Sequence, residues 1–465
     1  MAEAKQNYDT QEIWKKDKDH HVHPWTDFAT FKDKGSLVVA DADGAYVWDS
    51  DGNRYLDGIA GLWCVNVGYG RKEIAQAMAD QAEKMVYYSS FGAHTSIPAA
   101  ELAHKLAQLA PAGLNHIQFG TGGSMANDTA IRMIHFYFNQ LGKRSKKKII
   151  TRHDAYHGST YLAMSLTGVA FDHQGFDIIE DGLIQRVSSP NIYRRPDGMT
   201  VEEFCDHLVQ EFEDKIYTLG AENVAAFIAE PIMGAGGVIV PPAGYHQRMH
   251  KVCQKYEVLY IADEVVTAFG RLGHFFASED VFDMVPDIIT CAKGLSSAYA
   301  PLSATIMSDE FYDVISKPQA EGAMLTHGFT YSGHPVCCAA GLKNIEIMER
   351  EDLCGHVREL GPYLEEQLQT LDDLDIVGDI RGSHFMMCLE NVANKETKEL
   401  FDGGVQIGNR IAAAAQKRGV LVRPVAHLNI LSPPLVMNRD QIDTLVSVLR
   451  ESIVEVMDDV TREGI

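Results

Sequence analysis

Positive charge is scarce in this sequence: 41 Lys and Arg stand against 64 Asp and Glu, a formal charge of −23. So acidic a chain repels polyanions, which excludes nucleic acid and anionic membrane surfaces as partners. The only basic run, 143–148, precedes an apolar strand and reads as a solvated helix end. Long apolar runs are missing too; none approaches the ~18 residues needed to span a bilayer. The polar segment 1–9 has no apolar signal core. Eight cysteines, at 64, 205, 253, 291, 337, 338, 354 and 388, form no Cys-x-x-Cys pair. Several sit in apolar stretches, as reduced and buried thiols do, so no disulfide framework is expected. There is no internal repeat and no low-complexity segment. These absences point to a soluble, cytoplasmic protein with no membrane span.

What is present is a large core. The 465 residues are 46% hydrophobic and 23% charged. That suits two to three domains, or one large domain with a smaller companion, ordered beyond the first dozen residues. A hairpin is expected over 47–55, turning at Asp51-Gly52. Helices follow over 74–84 and 99–109. From 116 to 307 short apolar strands alternate with amphipathic helices. Strands are expected over 116–119, 148–151, 224–229, 258–262, 287–291 and 302–307, and helices over 126–138, 202–217 and 245–256. Such alternation predicts an α/β fold with a mostly parallel sheet between helices and right-handed crossovers. Beyond 336 the style is α+β: helices over 336–348, 353–371, 405–418 and 439–458, and strands over 386–389, 420–423 and 428–431. The expected division is 1–65, joining the small domain; 66–335, the large domain; and 336–465, the small domain.

Several of these strands end in polar residues. One ends in Glu230, another in Asp263-Glu264, a third in Ala292-Lys293-Gly294, and a fourth runs towards Tyr156-His157. Ligands of open parallel sheets bind at the carboxyl ends of the strands. The turn 120–124 (GTGGS) opens a helix and offers backbone N–H groups to a phosphate. Each feature also has a plain structural reading. The turn is then only a tight connection, Asp263 a loop cap, Lys293 a lysine reaching out of a strand end, Tyr156 rim packing, and 327–335 an ordinary loop. Together they supply a phosphate cradle, a ring stacker, a partner for a pyridinium nitrogen and an amine. Burial beside a cationic cofactor would lower the Lys293 pKa and favour its free amine. That set matches pyridoxal phosphate (PLP).

The sequence resembles the class III (ω-amino) aminotransferases of PLP fold type I over nearly its whole length. The resemblance rests on 23–27 (HPWTD), 61–71 (GLWCVNVGYGR), 156–160 (YHGST), 229–242 (AEPIMGAGGVIVPP), 262–265 (ADEV), 292–297 (AKGLSS), 327–335 (HGFTYSGHP) and 432–435 (SPPL). It is nearest the pyruvate-dependent amine and ω-amino acid transaminases. It implies that Lys293 carries PLP and shuttles the proton, and that Asp263 pairs the pyridine nitrogen. Val265 packs on one ring face, Tyr156 stacks on the other beside His157, and Glu230 steadies the region. Gly123 and Ser124 hold the phosphate, with Phe329 and Thr330 reaching it from a partner subunit. That implies a homodimer with shared sites, with tetramers left open. Trp25, Trp63, Phe91 and Ala235 match pocket positions, and Arg423 matches the arginine that pairs a substrate carboxylate.

The sequence departs from the family at four positions. Gly122 removes a hydroxyl from the phosphate cradle, Met125 removes a carboxylate at the helix start, Gly92 replaces a second aromatic, and Ala268 a common glycine. A weaker hold on PLP is expected. The implied activity is ping-pong transamination from an ω-amino acid, diamine or arylalkylamine donor to a keto acid, with pyruvate preferred. A taurine- or β-alanine-specific pyruvate aminotransferase stays within this reading. An aminomutase, racemase or decarboxylase on the same fold, and a PLP-free scaffold, are the competitors. His20, His21 and His23 form a histidine-rich segment, but with no carboxylate at ligand spacing no metal is expected.

Overall fold

The computed structural model describes residues 8–317 and 324–465. The expectation for the polar start of the chain therefore falls, over 1–7, outside the described residues. Among the described residues α1 spans Thr10–His20, and Asp9 caps it by accepting from Glu12 N at 2.9 Å. A second short helix, α2, spans Phe28–Lys34. Neither helix was anticipated, because both are polar and α1 buries no residue.

The first sheet is built mostly from the N-terminal segment. β1 (Val39–Asp43), β2 (Tyr46–Asp49) and β3 (Arg54–Asp57) run antiparallel, and β2 and β3 form the expected hairpin. The central sheet has seven strands: β4 (Leu114–Gly120), β5 (Lys148–Arg152), β6 (Ile184–Val187), β7 (Val224–Ala229), β8 (Leu259–Asp263), β9 (Ile288–Cys291) and β10 (Ser303–Ser308). Their order is β4-β10-β9-β8-β7-β5-β6. All adjacent pairs are parallel except those made by β10, which runs antiparallel to β4 and β9. The mixed α/β fold is thus as expected, mostly parallel. β7 explains why: its sequence VAAFIA is apolar throughout and buried at every position, as a strand covered on both faces must be. β6 was missed because IQRV is short and half polar.

The third sheet contains β11 (Val377–Ser383), β12 (Met386–Asn391), β14 (Arg423–Val425) and β15 (Leu428–Leu431), in the order β11-β12-β15-β14. The single strand expected over 420–423 is corrected here. Val420–Leu421 is β13, which pairs in parallel with β3 of the first sheet. The chain then changes sheets at Val422, and Arg423 pairs opposite Ile430. Helices Pro335–Arg350, Leu353–Gln369, Ile407–Lys417 and Arg439–Glu463 occupy the expected places, the last running five residues further than expected.

Two sequence readings are corrected. Residues 143–145 are exposed after the end of a helix, as expected, but 146–148 are not solvated in the same way. Lys146 is buried and donates to the carbonyls of Ala221 (2.8 Å) and Tyr256 (3.1 Å). Burial pushes its amine down to about 8. Lys147 and Lys148 likewise donate to the carbonyls of His135 and Gly182. The run ties loops to the edge of the sheet. The histidine-rich segment also has a carboxylate neighbour: Asp17, one helical turn before His21, contacts both His21 and His23. Among the described residues no helix is long and apolar enough to cross a membrane.

Candidate active site

The carboxyl ends of β5, β7, β8 and β9 meet at one place. β8 ends on Asp263, which is almost wholly buried. Its Oδ2 accepts from Asn127 Nδ2 at 2.8 Å and lies 2.7 Å from His157 Nδ1. A carboxylate can only accept, so His157 donates from Nδ1, and its Nε2 lies 3.2 Å from Thr151 Oγ1. Asn127 is held in turn: its Oδ1 accepts from Thr290 Oγ1 at 2.7 Å, and its Nδ2 also donates to the His157 carbonyl at 2.7 Å. Thr290 lies on β9 opposite Asp263. These bonds fix one oxygen of Asp263. The other, Oδ1, accepts from Val265 N at 3.1 Å.

Asn127, Thr290 and Thr151 escaped the sequence reading. A signal existed for Asn127. It stands three residues after Ser124 in a helix, so both lie on neighbouring faces near its first turns. Thr290, inside an apolar strand, gave none.

Glu230 follows β7 and joins two loops. Its Oε1 accepts from Tyr156 N at 3.0 Å and its Oε2 from Gly234 N at 2.8 Å. Burial pushes this carboxyl upward, with Asp263 adding to the rise and His157 opposing it. Tyr156 is half-buried, and burial raises its phenol. Its hydroxyl lies 3.0 Å from Ser159 Oγ, and the Trp25 ring meets it edge-on at 5.9 Å.

The Gly-rich turn leads from β4 into the helix Gly123–Gln140. A Cβ on Gly123 would lie 2.8 Å from Val265 Cγ1, so only glycine lets this helix start come so close to the β8 loop. Ser124 Oγ accepts from Ser159 N at 3.0 Å. Gly158, at φ +135°, passes Ser124 so closely that a Cβ would sit 2.3 Å from that oxygen. No side chain caps this helix. The amides of Gly123, Ser124 and Met125 have no partner among the described residues. Gly122 is extended, and a Cβ there would meet nothing within 4 Å.

Lys293 leaves β9 in a left-handed conformation, φ 40°. Next to it Gly294 is pressed against Asn66, where a Cβ would lie 2.3 Å from Nδ2. Asn344 Nδ2 donates to the carbonyls of Gly294 (2.8 Å) and Leu295 (3.0 Å). The lysine backbone is thereby gripped from two sides, and the strain is held by its surroundings. Burial pulls the Lys293 amine below the usual lysine range, opposed by Cys64, Asp263 and Glu230. Nζ has no hydrogen-bond partner among the described residues.

Arg423 lies partly buried near Tyr156 and Asp172, and burial lowers its pKa. It makes no ion pair among the described residues. Ala235 is half-buried beside Gly234, in the loop that Glu230 holds. Three more expected residues lie on exposed or half-buried surface. Phe91 is exposed and adjoins Gly328. Phe329 rests against His327, with ring centres 5.3 Å apart. The Thr330 carbonyl accepts from Tyr87 Oη at 2.8 Å. Trp63 is buried, 4% exposed, among Ile232, Val238, Leu272, Met386 and Leu428.

A phosphate needs donors, and the three partnerless amides provide them at the positive end of an 18-residue helix. A pyridinium needs a carboxylate, and a carbonyl needs a neutral amine. Asp263 suits the first and burial favours the neutral form of Lys293 for the second, so these residues fit PLP. The sequence profile of the family described as "Aminotransferase class-III" matches residues 29–453. The chain belongs to the class-III aminotransferases. It is 41% identical to the putrescine–pyruvate aminotransferase of Pseudomonas aeruginosa, over 96% of this chain and 97% of that one. It is 40% identical to the diaminobutyrate–2-oxoglutarate transaminase of Halomonas elongata, over 93% of both. Its fold matches the crystal structure of the ω-transaminase from Pseudomonas jessenii in complex with PMP, with a TM-score of 0.94 and 37% identity, covering 97% and 99% of the two chains. Class-III aminotransferases use PLP, and PLP is this enzyme's cofactor. Their substrates are an amino donor and a keto acid.

Proposed function

We propose that this aminotransferase takes its amino group from an ω-amino acid or a diamine and gives it to pyruvate in a ping-pong cycle. The observation that carries the reading is Arg423. A guanidinium with no ion pair among the described residues, beside Tyr156, suits a small α-keto acid carboxylate, while donors without that carboxylate leave it idle. The Pseudomonas aeruginosa relative's diamine donor and pyruvate acceptor support the same assignment. The Halomonas relative's 2-oxoglutarate marks the alternative acceptor. A taurine- or β-alanine-specific enzyme is a narrower form of the same reading.

PLP, when bound, supplies the electron sink that lets a carbon beside the amino group give up its proton. Lys293 Nζ, whose ammonium form burial disfavours, would hold the cofactor, take that proton and return it. Asp263, braced by Asn127 and His157, holds a proton on the pyridine nitrogen. Val265 and Tyr156 flank the ring, with His157 and Glu230 keeping the Tyr156 loop in place. The Gly123 and Ser124 amides bind the phosphate. Trp25, edge-on to Tyr156, would keep the donor pocket apolar, and Trp63 and Ala235 would line it with Trp25. Phe91, Phe329 and Thr330 lie on exposed or half-exposed surface, which suits a homodimer in which they complete the partner's site. A cytoplasmic location and the division 1–65, 66–335 and 336–465 belong to the same proposal. β13 supports that division by tying the first segment to the last.

The test is a donor panel (putrescine, γ-aminobutyrate, β-alanine, taurine, 1-phenylethylamine) run against pyruvate and 2-oxoglutarate, reading alanine and glutamate. Alanine from a diamine or ω-amino acid is the expected result. Glutamate alone would reassign the acceptor. No lasting change in the cofactor spectrum with donor alone would favour an aminomutase or racemase.

A further inference from the structure

The function above leaves the histidine-rich segment unused. Asp17 lies in the last turns of α1. Its Oδ1 is 3.0 Å from His21 Nδ1 and its Oδ2 is 2.8 Å from His23 Nε2. The chain is extended between the two histidines, so they share one side while Val22 points out, 80% exposed. Their rings are 4.3 Å apart. One ligand atom from each of the three residues lies within 4.8 Å of the others. Ser36 Oγ donates to Asp17 Oδ2 at 2.6 Å and orients the carboxylate from behind. Phe31 packs against His23 at 4.7 Å and fixes that ring.

We propose that Asp17, His21 and His23 form a binding site for a divalent first-row cation of the zinc type. Two imidazoles and one carboxylate, with a water in the fourth position, make a set that zinc accepts. The oriented carboxylate and the packed ring are the supporting contacts that such sites use. Hydrogen bonds now close the Asp17–His21–His23 cluster; a cation would replace them with bonds from all three atoms to one centre. The consequence lies two residues on. Trp25 follows His23 and sets its ring 5.9 Å from Tyr156, while Ser36 lies on the far side of α2. The cluster therefore closes the loop 17–36 that carries Trp25, and an occupied site would hold that loop down over the pocket. The inference rests on Asp17, His21, His23 and Ser36 and does not depend on which amine the enzyme uses.

The experiment uses the full-length enzyme with its PLP and zinc ions alone, in competition with a chromophoric chelator. Wild type is expected to bind one zinc per chain at this site. His23→Ala and the His21→Ala/His23→Ala pair are expected to lose that equivalent, and Ser36→Ala to weaken it about ten-fold. Zinc is expected to slow amide hydrogen exchange over 20–26 in wild type only. His23→Gln separates a cation site from a simple hydrogen-bonded clasp. It keeps a donor for Asp17 and so preserves the fold of α1, checked by circular dichroism, but offers a poor ligand. Unchanged zinc stoichiometry in the double variant or in His23→Gln would overturn the proposal. So would zinc that leaves exchange over 20–26 unaltered in wild type.

Discussion

The back and the front of this site are built differently. Behind Asp263, each polar atom answers another: Thr290 holds Asn127, Asn127 and His157 hold Asp263, and Thr151 holds His157. The front has few such bonds. Arg423 has no ion pair among the described residues, Trp25 is 61% exposed, and Phe91 and Thr330 are exposed. A buried network is costly if any member is lost, because its partner is left unsatisfied in a low dielectric. The back therefore suits chemistry common to every substrate, and the front suits discrimination between them.

The comparison breaks most plainly at Lys293. Lys293→Ala is expected to cut alanine formation by about 10⁴-fold, the upper range for loss of a positioned acid–base group. A residual rate within ten-fold of wild type would remove the lysine from the chemistry. At the front, Arg423→Ala is expected to raise KM for pyruvate by about ten- to hundred-fold, the size of a lost charged hydrogen bond. The half-reaction with a diamine should keep its rate. Equal losses in both halves would mean that Arg423 supports the fold and does not read the carboxylate.

At the back, Asn127→Ala is expected to lower kcat and PLP affinity about ten-fold whatever the donor, and Thr290→Val only a few-fold. Donor-dependent losses would erase the distinction between back and front. The Lys293 amine also gives a pH prediction. Its neutral form reacts with a carbonyl, and burial lowers its pKa from 10.5. Cofactor-free enzyme should therefore capture PLP at a rate that rises with pH to a midpoint below 10.5. A midpoint at or above the ordinary value would show a water-exposed lysine. The smallest effect is expected at Gly122. A Cβ there meets nothing within 4 Å and the backbone is extended, so Gly122→Ser fits without strain. It should tighten PLP binding a few-fold in equilibrium dialysis; no change would show that the helix amides suffice.

Most of the central sheet was legible because its strands are apolar runs with polar ends. β7 was placed to the residue, and the residues at those polar ends, Glu230, Asp263 and Lys293, do gather. What could not be read shares one property: its signal is tertiary. α1 and α2 are polar and short. β6 is half polar, and β13 and β14 look like one strand because the switch between sheets leaves no mark in Val420 to Val425. Lys146 looks like any surface lysine until Ala221 and Tyr256 are seen to turn carbonyls towards it. Asp17 sits at ordinary helical spacing from His21, and only the fold of the loop after it brings His23 back.

That switch between sheets has a practical side. Val420 and Leu421 belong to a strand pair whose other half is β3, near the beginning of the chain, and Arg423 is two residues away. Arg423 is therefore anchored at once to the first sheet, through β3, and to the third, through β15. Deleting the first segment through β3 would be, in this enzyme, an operation on the seat of Arg423.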